Sequence, residues 1–144
     1  MTLYTIGSGQ KTARNFFTLL RQNGVKLVLD IRLNNTSQLA GYTKKPDLEY
    51  FLGAIAGIGY RHMTEFAPTE ALMDGYKSKK LTWQEYADQY ARILADRQAL
   101  DRLDPALFAD ACLLCSEPKA TGCHRRLLAE HLAARIPGLT IVHL

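Results

Sequence analysis

A three-layer α/β domain with a mainly parallel central sheet flanked by helices is the fold this sequence predicts. Strand-like and helix-like segments alternate along the chain. Two strand segments, Val25 to Ile31 and Ala111 to Leu114, are apolar without alternation, the pattern of strands buried on both faces. The first strand, helix and second strand fit within about 30 residues, the span of a βαβ unit, so these strands should run parallel.

Each element has a local cause. Leu3 to Ile6 is apolar and β-rich, and Gly7 and Gly9 break it. Thr12 is positioned to cap a helix from about Ala13 to Gln22, with Phe16, Phe17, Leu19 and Leu20 on its buried face and Asn23-Gly24 at its end. After Arg32 a polar stretch from Asn34 to Gln38 runs on to Lys44-Lys45-Pro46. Pro46 and Asp47 open a helix carrying Leu48, Phe51, Leu52 and Ile55, which Gly57 and Gly59 stop. Tyr60 to Met63 reads as a weak third strand.

Thr82-Trp83-Gln84-Glu85 is a capping box, and apolar residues recur at helical spacing from Trp83 to Leu94. Their aromatic and aliphatic side chains are read as core. A helix from about Cys123 to Arg135 follows the Ala111 strand, then Pro137-Gly138, then a last strand from Thr140 to His143. No linker or repeat interrupts this pattern, so residues 1–144 are expected to form a single α/β domain.

Composition limits the function classes. Apolar residues make up 47% of the 144, enough for a core and far from the disordered class. No apolar run has the length of a membrane span, and the N-terminus does not read as a signal peptide. No membrane partner is expected. Three cysteines are too few for a disulfide framework in a chain of this length, and a cytoplasmic location is the expectation. The net charge of +4 biases the chain mildly toward anionic partners, nucleotide or nucleic acid among them.

In an open parallel sheet, ligand chemistry belongs beyond the carboxyl ends of the strands, where the strand order reverses. With the first strand placed between the second strand and the Ala111 strand, three loops meet there: Gly7 to Lys11, Arg32 onward, and Cys115 to Gly122. Ser8 lies in the first. Asp30 and Arg32 end the second strand and point to one face. They form a structural ion pair, or Arg32 binds an anionic substrate that Asp30 orients or deprotonates.

The richest segment is Leu113-Leu114-Cys115-Ser116-Glu117-Pro118, with Cys123-His124-Arg125-Arg126 after it. Its short loop delivers Cys123, His124 and Arg125 to a helix N-terminus, where free amides and the dipole favour an anion and a thiolate. His124 lies on the apolar stripe of Leu127, Leu128, His131 and Leu132, so it is a structural histidine or a functional one. Arg125 lies off that stripe and is expected to be dispensable for packing, with Glu117 and Asp30 as its internal partners. Cys112 reads as a small hydrophobe, Arg126 and Glu130 as a surface pair, and His131 and His143 as structural or surface residues. Lys44 and Lys45, with Lys77, Lys79 and Lys80, form a basic rim or a solvated surface.

Several familiar mechanisms fail on spacing. A phosphatase-type Cys-x5-Arg loop meets Thr121 or Ala129 where its arginine is needed. The deaminase, P-loop and dinucleotide fingerprints are absent, so no cofactor is specified. Adjacent Cys123 and His124 cannot easily chelate one ion together with Cys115, and no metal is expected.

Tyr4-Thr5-Ile6-Gly7, Asp30-Ile31-Arg32, Gly57-Ile58-Gly59-Tyr60 with His62, and Leu114-Cys115-x-Glu117 followed by Cys123-His124-Arg125 together resemble the bacterial and archaeal family called domain of unknown function 488. The stretch from Asp30 to Gly41 resembles one branch of it. Many members carry His-Ser after the first glycine, where this chain has Ser8-Gly9. The resemblance implies an α/β fold and a shared site built from these motifs. The reading that follows is an enzyme-like domain binding an anionic substrate. Arg32, Ser8 and Arg125 would hold the anion, Asp30, Glu117 or His124 would serve proton transfer, and Cys115 or Cys123 would be a reactive thiol. A non-catalytic nucleic-acid-binding module, or a structural protein, is the alternative.

Overall fold

The carboxyl ends of three adjacent strands lie level with one another. The computed structural model describes all of residues 1–144. Its sheet contains β1 (Thr2–Gly7), β2 (Leu27–Asp30), β3 (Gly59–His62), β4 (Ala111–Cys115) and β5 (Thr140–His143). All pairings are parallel, in the order β3-β2-β4-β1-β5. Gly7 pairs with Cys115, and Asp30 with Leu114. The expected placement of β1 between β2 and β4 is therefore corrected: β4 lies between β2 and β1, and its five residues are all buried. An unbroken apolar strand, Ala-Cys-Leu-Leu-Cys, is what the centre of a covered sheet requires.

Five α-helices flank the sheet: α1 (Ala13–Gln22), α2 (Lys45–Phe51), α3 (Glu70–Lys77), α4 (Trp83–Asp96) and α5 (His124–Arg135). The Thr12 hydroxyl accepts from the Asn15 amide and starts α1, which buries Phe16, Phe17 and Leu20. The Thr82–Glu85 capping box is present at α4. The helix expected to run on to Ile55 changes character after Phe51 into a π-helical turn, Leu52–Ala56, which Gly57 ends in the left-handed region at φ 63°. The helix α3 escapes the sequence reading because it has eight residues and buries only Leu72, too little for a stripe.

Two cores result. Ile6, Phe16, Leu20, Val28, Leu48, Leu52 and Leu114 pack on one face, beneath α1 and α2. Leu3, Leu29, Leu72, Tyr90, Leu113, Leu128 and Leu132 pack on the other, beneath α3, α4 and α5. The chain leaves β1 and β2 toward the first face and β4 toward the second, as right-handed crossovers in opposite directions along the sheet require. The crevice expected at the reversal of strand order thus survives the corrected order, because β4 is flanked by both strands whose loops turn the other way.

Candidate functional site

Beyond the strand ends, the β1 and β4 loops remain zipped together. The Ser8 amide donates to the Cys115 carbonyl and the Gly9 amide to the Ser116 carbonyl, both at 2.9 Å. A cavity of about 700 Å³ opens above them. Ser8, Arg32, Cys115, Glu117, Cys123 and His124 line it, so six of the eight site residues expected from sequence share one hollow. Asp30 and Arg125 lie beneath its wall. Lys11, Lys77, Tyr42, Tyr76 and Tyr86 also line it.

Asp30 and Arg32 form a closed pair. Arg32 donates from Nε to Oδ1 and from Nη2 to Oδ2 of Asp30, both at 2.8 Å. It also reaches the Thr43 carbonyl at 2.8 Å and the Thr43 hydroxyl at 3.3 Å. Tyr60 and Asn35 donate to Oδ2 of Asp30 as well. Burial pushes the Asp30 carboxyl up, but the Arg32 hydrogen bonds and charge, with the Tyr60 hydroxyl, outweigh it and hold it below the ordinary carboxylate range. Asp30 is thus an ionised, fully engaged anchor for the loop that follows β2. This geometry matches the structural reading of the pair, while the edge of Arg32 still faces the cavity.

The first turn of α5 supplies the other wall. His124 is 8% exposed, and its Nε2 lies 2.8 Å from the Ile31 carbonyl. A carbonyl only accepts, so Nε2 carries the proton and Nδ1 carries a lone pair. Nδ1 faces the Cys123 sulfur at 3.8 Å, and the Tyr90 ring meets the imidazole edge-on. Burial drives the His124 pKa down to about 4, with the Arg125 charge adding to the shift. The imidazole is therefore neutral at physiological pH.

Arg125 overturns an expectation. It is 1% exposed and among the largest fully buried side chains, not a side chain free of the packing. Side chains in a first helical turn lean back toward the helix N-terminus. That direction carries Arg125 over the edge of the sheet. Nε donates to the Thr5 hydroxyl at 3.3 Å, and Nη1 to the Cys115 sulfur at 3.2 Å and the Glu117 main-chain carbonyl at 2.6 Å. Neither expected acidic partner pairs with it. Glu117 contributes its carbonyl while its side chain stays exposed, and Asp30 is spent on Arg32. None of the four ion pairs in the structure includes Arg125.

Cys115 and Cys123 enter the sequence reading as alternatives for one thiol. The structure brings their sulfur atoms together as a disulfide, with Cα atoms 7.5 Å apart and the two residues eight positions apart in sequence. Cys112 is the one free cysteine, fully buried in β4, and burial pushes its thiol up. No group of three His, Cys, Asp or Glu side chains is arranged to hold a metal ion.

Sequence reasoning missed Lys11, Thr5 and the three tyrosines. Lys11 carries a readable signal, a basic residue just before the helix that follows β1. Its Nζ donates to the Gly7 carbonyl at 2.7 Å. Tyr76 lies on the helix that the sequence reading omitted. Thr5 matters only through Arg125, 120 residues away. No helix is long and apolar enough to cross a membrane. The family model described as Domain of unknown function DUF488 matches residues 12–132. That span holds the Asp30-Ile31-Arg32 and Cys115-to-Arg125 motifs and excludes Tyr4-Thr5-Ile6-Gly7. No curated protein and no solved structure matches the chain.

Proposed function

The chain belongs to the Domain of unknown function DUF488 family, and we propose that it is an enzyme-like domain that binds a small anionic substrate of nucleotide size in the strand-end cavity. The observation that carries this reading is the charge around a hollow of about 700 Å³, a volume within the range of small-molecule sites. Lys11 and Lys77 line it, Arg125 lies just beneath without a carboxylate partner, and Glu117 is the only carboxylate in the lining. Burial and the nearby Arg125 charge both lower the Lys11 pKa, which reflects two cations held close together. An anion between them would relieve that repulsion. The tyrosines at 42, 76 and 86 offer faces on which a base could stack. The buried neutral imidazole and two sulfurs on the floor supply groups for chemistry, Cys115 as nucleophile once its bond to Cys123 is reduced and Glu117 as proton carrier at the mouth.

One observation favours the second reading, a nucleic-acid-binding module. Lys77, Lys79 and Lys80 are exposed in sequence from the lip of the cavity outward, a path a phosphate backbone could follow. We place either activity in the cytoplasm, on composition and cysteine use. Thermal shift and calorimetric titration with mononucleotides, inorganic phosphate and short oligonucleotides separate the readings. Mononucleotide binding that is lost in a Lys11→Ala, Lys77→Ala double variant supports the small-substrate site. Oligonucleotide binding alone, falling steeply with salt, supports the module. No binding by any of these ligands overturns both.

A further inference from the structure

The geometry points to Cys115 and Cys123 as a redox-active dithiol that reacts with low-molecular-weight disulfides, Cys115 as the attacking thiolate and Cys123 as the resolving thiol. It deepens the functional reading above, since the sulfurs belong to the same cavity, and it adds a regulation of that site.

Three observations fix the roles. First, the two sulfurs touch one another, and both residues line the cavity while being only 1% and 2% exposed, so the cavity is the route by which a reagent would meet them. Second, the two sulfurs have different neighbours. The Arg125 guanidinium donates to Cys115 at 3.2 Å and has no carboxylate to balance it. A thiolate at Cys115 is the full counter-charge that this buried cation lacks. Cys123 instead meets the lone pair of the His124 Nδ1 at 3.8 Å, an acceptor that suits a protonated thiol. Third, Cys112 faces the opposite core and cannot compete: alternation places it with Leu114 beneath α1, whereas Cys115 lies on the α5 side.

The reaction balances within these groups and the disulfide. The Cys115 thiolate attacks one sulfur of the small disulfide, forming a mixed disulfide and releasing one thiolate. Cys123 then attacks the Cys115 sulfur, forming the internal bond and releasing the second thiolate, which takes up the Cys123 proton. Two protein thiols are oxidised and one small disulfide is reduced to two thiols. The oxidised form has no nucleophile in the cavity, so thiol chemistry there stops.

The full chain is equilibrated in glutathione buffers from fully reducing to fully oxidising, then quenched, alkylated under denaturing conditions and mapped by mass. Expected is a reversible loss of two alkylation sites, at Cys115 and Cys123, with Cys112 still alkylated. Cys123→Ser should trap one glutathione on Cys115, and Cys115→Ser should trap far less on Cys123. Alkylation of the native protein against pH should show Cys115 reacting at lower pH than an ordinary thiol. Thr5→Val, which removes one support of Arg125 without emptying its site, should move that profile upward. Retention of all three thiols in every buffer overturns the proposal, as does equal trapping in the two serine variants. Nucleotide titration of the same reduced and oxidised samples tests the binding reading separately, since binding can persist or fail whatever the thiols do.

Discussion

Gly7, the last residue of β1, lies so close to the main-chain carbonyl of Glu117 that a β-carbon would overlap both that oxygen and Nη1 of Arg125. The glycine lets the β4 loop fold back over the β1 end and hand its carbonyl to Arg125. A Cβ would meet backbone rather than a yielding side chain. Gly7→Ala should therefore cost about 3 kcal/mol or more. Gly53, with open space around it, is the control: Gly53→Ala should be neutral or stabilising by up to about 1 kcal/mol. Denaturant midpoints check both, and equal effects at the two positions would remove the packing argument.

The Asp30–Arg32 pair predicts a large asymmetry. The side chains are 0% and 3% exposed, so removing one partner strands a buried charge. Arg32→Met should cost about 3–5 kcal/mol, and adding Asp30→Asn should recover part of the loss. A double-mutant cycle by urea unfolding measures this. Simple addition of the two losses would show that the pair is not coupled.

Arg125 and Arg126 are neighbours in sequence with opposite fates. Arg126 pairs with Glu130 at 2.9 Å on the surface. Arg126→Ala should change stability by less than about 0.5 kcal/mol. Arg125→Ala removes a buried side chain and leaves the Glu117 carbonyl without its donor, at a cost of about 2–4 kcal/mol. Thermal melts rank the two, and the reverse order would contradict the burial of Arg125.

His124 makes stability depend on pH. Its folded pKa is about 4 against an ordinary 6.5. Between these values the unfolded chain binds the more protons, so this contribution is present above 6.5 and lost as pH falls through 4. A shift of this size corresponds to roughly 3 kcal/mol when fully developed. The depressed Asp30 carboxyl acts in the same direction at lower pH. His124→Gln, which can keep a donor for the Ile31 carbonyl, should flatten the stability profile across the window. Parallel profiles for the two proteins would assign the slope to other groups.

Leu114 tests the corrected strand order. It is fully buried at the centre of the sheet, where β4 pairs with both β1 and β2. Leu114→Ala should cost about 2–5 kcal/mol. An edge position would yield a much smaller shift in denaturant midpoint.

The class of fold, most elements and the neighbourhood of the site were legible in the residues alone. These follow from local signals: unbroken apolar runs at Val25 to Ile31 and Ala111 to Leu114, the Thr82–Glu85 box, and glycines after the strands. Polar residues at the ends of apolar strands must gather at the sheet edge, so Arg32, Cys115, Glu117, Cys123 and His124 were legible as a group. The order of the strands emerges only from long-range packing, because crossover connections of similar length serve either arrangement of β1 and β4. The same packing sets which charges are paired. The periodicity of α5 places Arg125 off its apolar stripe, but burial depends on what stands opposite. What stands opposite are Thr5, 120 residues away, and the carbonyl of Glu117. Hydrogen bonds and sulfur contacts act over a few ångströms of space, with no regard for distance along the chain. For that reason Arg125 came to rest against Cys115 rather than against a carboxylate.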